Sequence, residues 1–132
     1  MAVMALVVAA PLCAEQEPKT VIDGRCQYPE PVAQYRNETT LILCDTVKID
    51  RSETITTLAF TRRSWGAMAR FAGDMPGNKM TVSQITLRNG RSVAAKGTCE
   101  IFYRRDGSLA VISCLAKAGS RSIAANFIPS RI

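Results

Sequence analysis

Two dipeptides in the second half of the chain, Asn89-Gly90 and Asp106-Gly107, constrain the fold more than any other feature. Each lies between segments rich in Thr, Val, Ile and aromatic residues, and in that setting both are strong signals for a two-residue type I′ hairpin turn. Ala118-Gly119-Ser120 predicts a third turn. The sequence therefore predicts a four-strand antiparallel meander, with strands at about 79–88, 91–105, 108–117 and 121–128.

The segment before the meander also has the composition of strands separated by turns. Thr39–Ile49 and Thr54–Arg62 are rich in Thr and in large apolar residues, and Asp50–Glu53 predicts the turn between them. Residues 15–37 contain three prolines and one glycine, so we expect a mostly irregular segment with a short strand at about 20–23.

Two places depart from a simple alternating pattern. Three large apolar residues in Ser64–Ala72 would share one face of a helix, so helix is the alternative to the strand that we favour there. Near Ser83 the pattern changes phase, because Val82 and Ile85 would fall on opposite faces of an unbroken strand. That change of phase predicts a β-bulge.

The length of the chain limits how these strands can pack. With 132 residues, 47% hydrophobic and 21% charged, the sequence is typical of one globular domain, which we place at residues 15–132. About seven strands in that length predict an all-β fold, namely a small antiparallel sandwich or barrel that ends in the four-strand meander.

The first segment resembles a targeting signal. Met1–Leu12 contains no charged residue, and it is followed by Cys13, Ala14 and a polar run. We expect a signal peptide at residues 1–14, cleaved after Ala14, and an exported protein of the periplasm or the extracellular space; a buried N-terminal helix is the alternative. Lipid anchoring through Cys13 is disfavoured by bulky Leu12 before it. No apolar stretch approaches the roughly 20 residues that span a bilayer.

Cleavage of that segment would leave four cysteines, and an even number in an exported chain predicts two disulfides. No pair has Cys-x-x-Cys spacing, which argues against a zinc ribbon or a thioredoxin-like site. Counting outward from a two-residue turn at Asp106-Gly107 places Cys99 opposite Cys114, as a hydrogen-bonded pair with Cα atoms about 5.5 Å apart. Of the three connectivities, we therefore predict Cys26–Cys44 and Cys99–Cys114.

The sequence argues against catalysis. It contains no histidine, so catalysis by Ser-His-Asp or Cys-His and every zinc site with a His ligand are excluded. It also lacks a Ser-x-x-Lys motif and a calcium loop of the Asp-x-Asp-x-Asp-Gly type. We expect a protein that is not an enzyme and that has no cofactor and no metal.

The charge of the chain is unevenly distributed. Seventeen Lys and Arg residues against eleven Asp and Glu give a formal net charge of +6. Residues 15–60 carry a net charge of −3, whereas residues 61–132 carry +9, and twelve of the seventeen cations are Arg. Because Arg makes bidentate contacts with phosphate, sulfate and carboxylate groups, the second half is the part to search for an anion site.

The predicted hairpins align three of these cations. They place Lys96 opposite Lys117, and Lys117 opposite Arg121, in one row on one face of the sheet. Phe102 and Leu115 follow on the same face, so the row would lie at the rim of a buried surface. Like charges in direct opposition are mildly destabilising, and such a row either extends into solvent or binds an anion.

A second stretch interleaves cations with aromatic residues, at Phe60, Arg62, Arg63, Trp65, Arg70 and Phe71. Such residues could contact the backbone and stack on the bases of single-stranded nucleic acid. Alternating Arg and apolar residues are equally typical of a half-exposed strand. Because the chain is predicted to be exported, we expect no nucleic-acid partner, and an unknown protein or an anionic envelope component instead.

These observations leave three functional hypotheses. The first is an exported, non-catalytic binding or structural module. The alternative is a binder of anionic glycan, lipopolysaccharide or a membrane surface through Lys96, Lys117 and Arg121. A second alternative is a protein inhibitor of a hydrolase, which rests on fold-class analogy alone and would require a contiguous exposed apolar patch.

Overall fold

The computed structural model describes residues 19–30, 38–52 and 54–130, so the signal peptide predicted for residues 1–14 lies outside the described part of the chain. Nine strands form within those residues. They are β1 (Lys19–Cys26), β2 (Thr39–Leu41), β3 (Thr46–Arg51), β4 (Thr56–Arg62), β5 (Gly66–Asp74), β6 (Lys79–Leu87), β7 (Ser92–Tyr103), β8 (Leu109–Ala118) and β9 (Arg121–Pro129).

Eight of these strands close into one antiparallel barrel, in the order β1-β3-β4-β5-β6-β7-β8-β9, with β9 pairing back onto β1. The ninth, β2, lies outside the ring and pairs in parallel with β9. The prediction of an all-β domain that ends in a four-strand meander is confirmed, and of the two architectures the barrel is the one formed. The run Thr39–Ile49, predicted as one strand, is divided into β2 and β3 by residues 42–45.

Two further strand predictions can be compared with the structure. Ser64–Ala72 is a strand and not a helix, since β5 covers most of it. In the N-terminal segment, predicted to be mostly irregular with a strand at about 20–23, the strand β1 is longer and occupies residues 19–26.

The interior of the barrel is filled by side chains at alternate positions of each strand. Leu58, Phe71 and Ile85 lie in one register row across β4, β5 and β6, and all three are fully buried. Phe60 packs edge to face against Phe71, with ring centroids 5.6 Å apart, and lies opposite the small residue Ala69. Large residues thus lie beside small ones in the core.

The bulge predicted near Ser83 is confirmed. The register of β6 shifts at this residue against both neighbours, between Val82 and Gln84 on the β7 side and between Ala72 and Gly73 on the β5 side. As a result Val82 and Ile85, which an unbroken strand would place on opposite faces, are both buried.

The turns predicted as two-residue type I′ loops are three-residue loops. Leu87 N–H donates to the carbonyl of Arg91, and Arg104 N–H donates to that of Ser108, so each loop encloses one residue more than predicted. A type I′ turn needs positive φ at both central positions, but among the described residues only glycines have it.

The side chains of Asn89 and Asp106 account for this difference. Each accepts a hydrogen bond from the backbone N–H two residues later, at 2.8 Å from Arg91 and 2.9 Å from Ser108. These bonds form Asx turns, in which Asn89 and Asp106 keep a negative φ and do not need the left-handed conformation. Positive φ then falls on the glycine alone.

Both predicted disulfides are present. Cys99 lies opposite Cys114 although the turn is longer, because the extra residue in the loop is offset by a bulge at Ala110. The Cα atoms of this pair are 4.0 Å apart, not about 5.5 Å. That distance is closer to the spacing of a non-hydrogen-bonded pair, so the connectivity is right and the predicted pair type is wrong.

The barrel closes at β1, whose two halves have different partners. Lys19–Asp23 pairs with β3, and Gly24–Cys26 pairs with β9. The Cys26–Cys44 disulfide, with Cα atoms 4.9 Å apart, joins the end of β1 to the segment before β3. The barrel strands therefore have no long unpaired edge at this seam.

Tyr28 lies behind the same seam. Its hydroxyl is 2.6 Å from the Ile42 carbonyl oxygen and 3.0 Å from that of Ala124, and the Asn126 N–H donates to it at 3.4 Å. Since Ile42 follows β2 and Ala124 lies in β9, this hydroxyl connects the extra strand to the ring. Burial raises the pKa of Tyr28 to about 12, against the backbone hydrogen bonds to Asn126 and Ile42, which act to lower it.

Gly24→Ala is expected to destabilise the closure by roughly 1–3 kcal/mol, which is the usual cost of overpacking. A Cβ atom at Gly24 would lie 2.6 Å from Phe127 Cζ and 2.7 Å from Pro129 Cα. Gly77→Ala is the matched control, because nothing lies within 4 Å of its Cβ position, and it should change the free energy of unfolding by less than about 0.5 kcal/mol. Denaturant unfolding measures both, and equal effects would contradict the close approach at Gly24.

Tyr28→Phe should lower stability by roughly 1–3 kcal/mol, because it removes the part-buried hydrogen bond from the Tyr28 hydroxyl to the Ile42 carbonyl. Since the pKa of Tyr28 in the folded protein is above its ordinary value of 10.0, its contribution is complete below pH 10 and is lost as the pH rises towards about 12. Phenolate absorbance should show a late titration that disappears in Tyr28→Phe. Tyr103→Phe, at a side chain 48% exposed, is the control and should retain that late titration.

Candidate anion-binding surface

Two lysines face each other on the outside of the barrel. Lys96 of β7 lies directly opposite Lys117 of β8, as predicted, and both are exposed. Their orientation follows from strand alternation, since the neighbouring inward positions hold buried Ala95 and Ala116. Adjacent strands lie about 4.8 Å apart, so the backbone positions that carry the two charged side chains are close together.

A groove of about 770 Å³ runs beside this pair. Its remaining lining is small or hydroxyl-bearing: Thr81, Val82, Ser83, Ala94, Ala95, Gly97 and Gly119. At Gly97 the strands approach so closely that a Cβ atom would lie 2.7 Å from that of Ala116. The bulge at Ser83 and the small residues line this groove beside the two long lysine side chains.

Arg121 does not join the row. The β8–β9 turn contains only Gly119 and Ser120, so Ala118 lies opposite Arg121, and Lys117 lies opposite Ser122. The prediction that Lys117 faces Arg121 is therefore wrong by one residue, which changes the face. Arg121 instead donates from Nε to the Thr40 hydroxyl of β2 at 2.8 Å.

The surroundings of the row also differ from the prediction. Phe102 and Leu115 were expected in a buried face, but they are 45% and 57% exposed. The face that carries Cys99 and Cys114 is the barrel interior, and the lysine face is the exterior. The lysine pair therefore stands on an open outer surface.

The stretch from Phe60 to Phe71, which interleaves cations with aromatic residues, is divided between the inside and the outside of the barrel. Phe60 and Phe71 are fully buried in the core and cannot stack on a ligand, whereas Trp65 is 51% exposed in the β4–β5 turn. The guanidinium carbon of Arg62 lies 5.6 Å from the centroid of the Trp65 ring, and that of Arg88 lies 4.3 Å from it. Both distances are within cation–π range. Arg88 comes from the β6–β7 turn, and no local sequence signal indicates this contact.

Arg63, in the same turn, has a different environment. Its guanidinium forms an ion pair with Asp23 at 2.8 Å, and its backbone N–H donates to both oxygens of Asp45, at 3.1 and 3.2 Å. The side-chain hydrogen bond to Asp23, with the charges of Asp23 and Asp45, raises the pKa of Arg63. Desolvation acts to raise the pKa of Asp45, but its hydrogen bonds with Arg63 and Thr46 and the nearby positive charges lower it overall.

The acids give no sign of a metal site in the described residues, where no group of three or more His, Cys, Asp or Glu side chains could hold an ion. Glu100, the acid of the second half with the best case for burial, is half-buried and lies between Lys79 and Ser113 in the register. In the same part of the chain, no helix has the length and apolar character needed to cross a membrane.

The exposed large apolar side chains are distributed over separate segments, on β1, before β3, in two turns, at the end of β7 and on β8. They are Val21, Leu43, Ile55, Trp65, Phe102, Tyr103 and Leu115. An inhibitor of a hydrolase would require several of these side chains to form one contiguous patch.

Two cationic groups thus stand out, and their chemistry differs. The lysine pair offers compact point charges above small residues, whereas the group around Trp65 offers planar guanidiniums ordered on an indole ring. No protein-family model, curated protein or solved structure matches the chain. The chemistry of these groups is the basis for the function proposed below.

Lys96→Gln should stabilise the protein by a few tenths of a kcal/mol, about 0.3 kcal/mol at low salt, because it removes a like-charge opposition across β7 and β8. The gain should fade as salt screens the repulsion. Lys79→Gln is the matched control, since Lys79 lies opposite Glu100 and its loss removes an attraction. Denaturant unfolding at two salt concentrations tests this, and equal effects of the two variants would contradict the account.

Proposed function

We propose that this protein is an exported, non-catalytic binding module that recognises an anionic polymer, such as an acidic glycan or lipopolysaccharide, through the groove beside Lys96 and Lys117. The observation that carries the proposal is the direct opposition of two exposed lysines at the side of a groove of about 770 Å³. Held in this register, the two charges repel each other, and an anion between them would turn that repulsion into attraction.

Export is supported by the disulfides. Cys26–Cys44 and Cys99–Cys114 are both formed, and structural disulfides persist in oxidising compartments such as the periplasm or the extracellular space. The anionic polymers available to an exported protein are those of the cell envelope and its surroundings, which agrees with the charge of the groove.

The shape of the groove favours a polymer over a single ion. Its two cations come from rigid, paired strands, while the hydroxyls of Thr81 and Ser83 along the lining can donate to or accept from sugar hydroxyls. Arg121, hydrogen-bonded to Thr40, is not among the lining residues, so we assign the central contacts to the two lysines.

Binding of the oxidised protein to lipopolysaccharide, heparin and an acidic glycan, at low and at near-physiological salt, tests the proposal. Lys96→Gln/Lys117→Gln should weaken binding by about tenfold, since each exposed charge contributes roughly 0.7 kcal/mol. Lys19→Gln/Lys79→Gln removes the same charge from other strands and should have a much smaller effect.

Two results would refute this function. One is binding seen only at low salt, which would reflect general attraction to a basic surface. The other is equal weakening by the two double variants, which would show that net charge, and not the groove, determines affinity.

A further inference from the structure

We propose that Trp65, Arg62 and Arg88 form a second binding site, separate from the lysine groove, for a saccharide unit that carries a carboxylate or a sulfate group. The site lies where the β4–β5 and β6–β7 turns meet, and neither its position nor its chemistry depends on the lysine groove.

Both turns are held by backbone hydrogen bonds. Trp65 N–H donates to the Arg62 carbonyl at 2.8 Å, and Gly90 N–H donates to the Leu87 carbonyl at 2.8 Å. Antiparallel pairing of β5 with β6 brings the two turns to the same end of the barrel. The side chains of the site are therefore presented by ordered backbone, which reduces the entropy lost when a ligand binds.

The charge of Arg62 interacts with that of Asp45, but the two side chains do not form a direct ion pair. Among residues 19–30, 38–52 and 54–130, no carboxylate lies within ion-pair distance of the Arg62 or Arg88 guanidinium. Arg63, one residue from Arg62, is paired with Asp23 at 2.8 Å. Arg63 therefore has a carboxylate partner, whereas Arg62 and Arg88 both lie against the Trp65 ring. Two guanidiniums gathered on one ring repel each other, and an oxyanion bound by both would offset that repulsion.

The chemistry of the three side chains points to an acidic sugar. Cation–π contact places both guanidiniums at the Trp65 ring, and arginine N–H groups form bidentate bonds to a carboxylate or a sulfate. Trp65 remains 51% exposed, and this apolar surface suits the C–H face of a sugar ring better than it suits an inorganic anion. A carboxylate and a sulfate group each offer a pair of acceptor oxygens that one arginine can bind with two N–H groups, so both are included in the proposal.

The single tryptophan of the chain makes the site directly observable. We would titrate the oxidised protein with an oligouronide, a sulfated oligosaccharide, a neutral oligosaccharide of equal length and an oligoglutamate, and follow tryptophan fluorescence. We expect a saturable change with at least one acidic oligosaccharide and none with the neutral one; the two acidic arms distinguish carboxylate from sulfate.

Arg88→Gln and Arg62→Gln should each weaken this binding by about fivefold or more, which corresponds to about 1 kcal/mol. Arg63→Gln removes the same charge from the same turn and should leave affinity nearly unchanged, because that arginine is engaged by Asp23. Lys96→Gln/Lys117→Gln should not alter the fluorescence titration, so failure of this site and failure of the lysine groove are distinguishable.

The proposal is overturned if no acidic oligosaccharide gives a saturable signal, or if Arg63→Gln weakens binding as much as Arg88→Gln. It is also overturned if oligoglutamate binds as tightly as the sugars, since the site would then recognise negative charge and not the sugar.

Discussion

The divided pairing of β1 is the constraint on which the rest of the structure depends. Its first half completes the ladder with β3, its second half completes the ladder with β9, and Gly24 lies at the change of partner. The Cys26–Cys44 disulfide and the Tyr28 hydroxyl hold the same seam. With the ring closed, each barrel strand has one inward and one outward face, and those faces decide which cations meet solvent.

The two cationic groups follow from this closed register. Lys96 and Lys117 are neighbours because the β7–β8 hairpin pairs them and because alternation turns both outward. Trp65 and Arg88 are neighbours because the β4–β5 and β6–β7 turns lie at the same end of an antiparallel barrel. In both places charges of one sign are held close together by backbone pairing, which is the physical basis for treating them as sites for anions.

Local sequence signals predict the elements formed by nearby residues. The meander, the bulge at Ser83 and the Cys99–Cys114 pair all rest on strand alternation and on turns within a short stretch of chain. The two hairpin turns are longer than the sequence predicts because the side chains of Asn89 and Asp106 cap them, and the β8–β9 turn is one residue shorter than predicted, which places Arg121 opposite Ala118 and not Lys117. Contacts between distant segments have no such signal. The closure by β1 and the approach of Arg88 to Trp65 depend on the whole ring, so the sequence alone did not predict them.

Amide chemical-shift mapping of the isotope-labelled protein during titration with an acidic oligosaccharide tests the central claim, that anions bind at places fixed by strand register and not wherever charge is high. The account predicts shifts confined to residues 62–66 with 88–91, and to residues 81–83 and 94–97 with 116–119. Shifts spread over all basic strands, including those that carry Lys48 and Arg70 on the outer face, would contradict it.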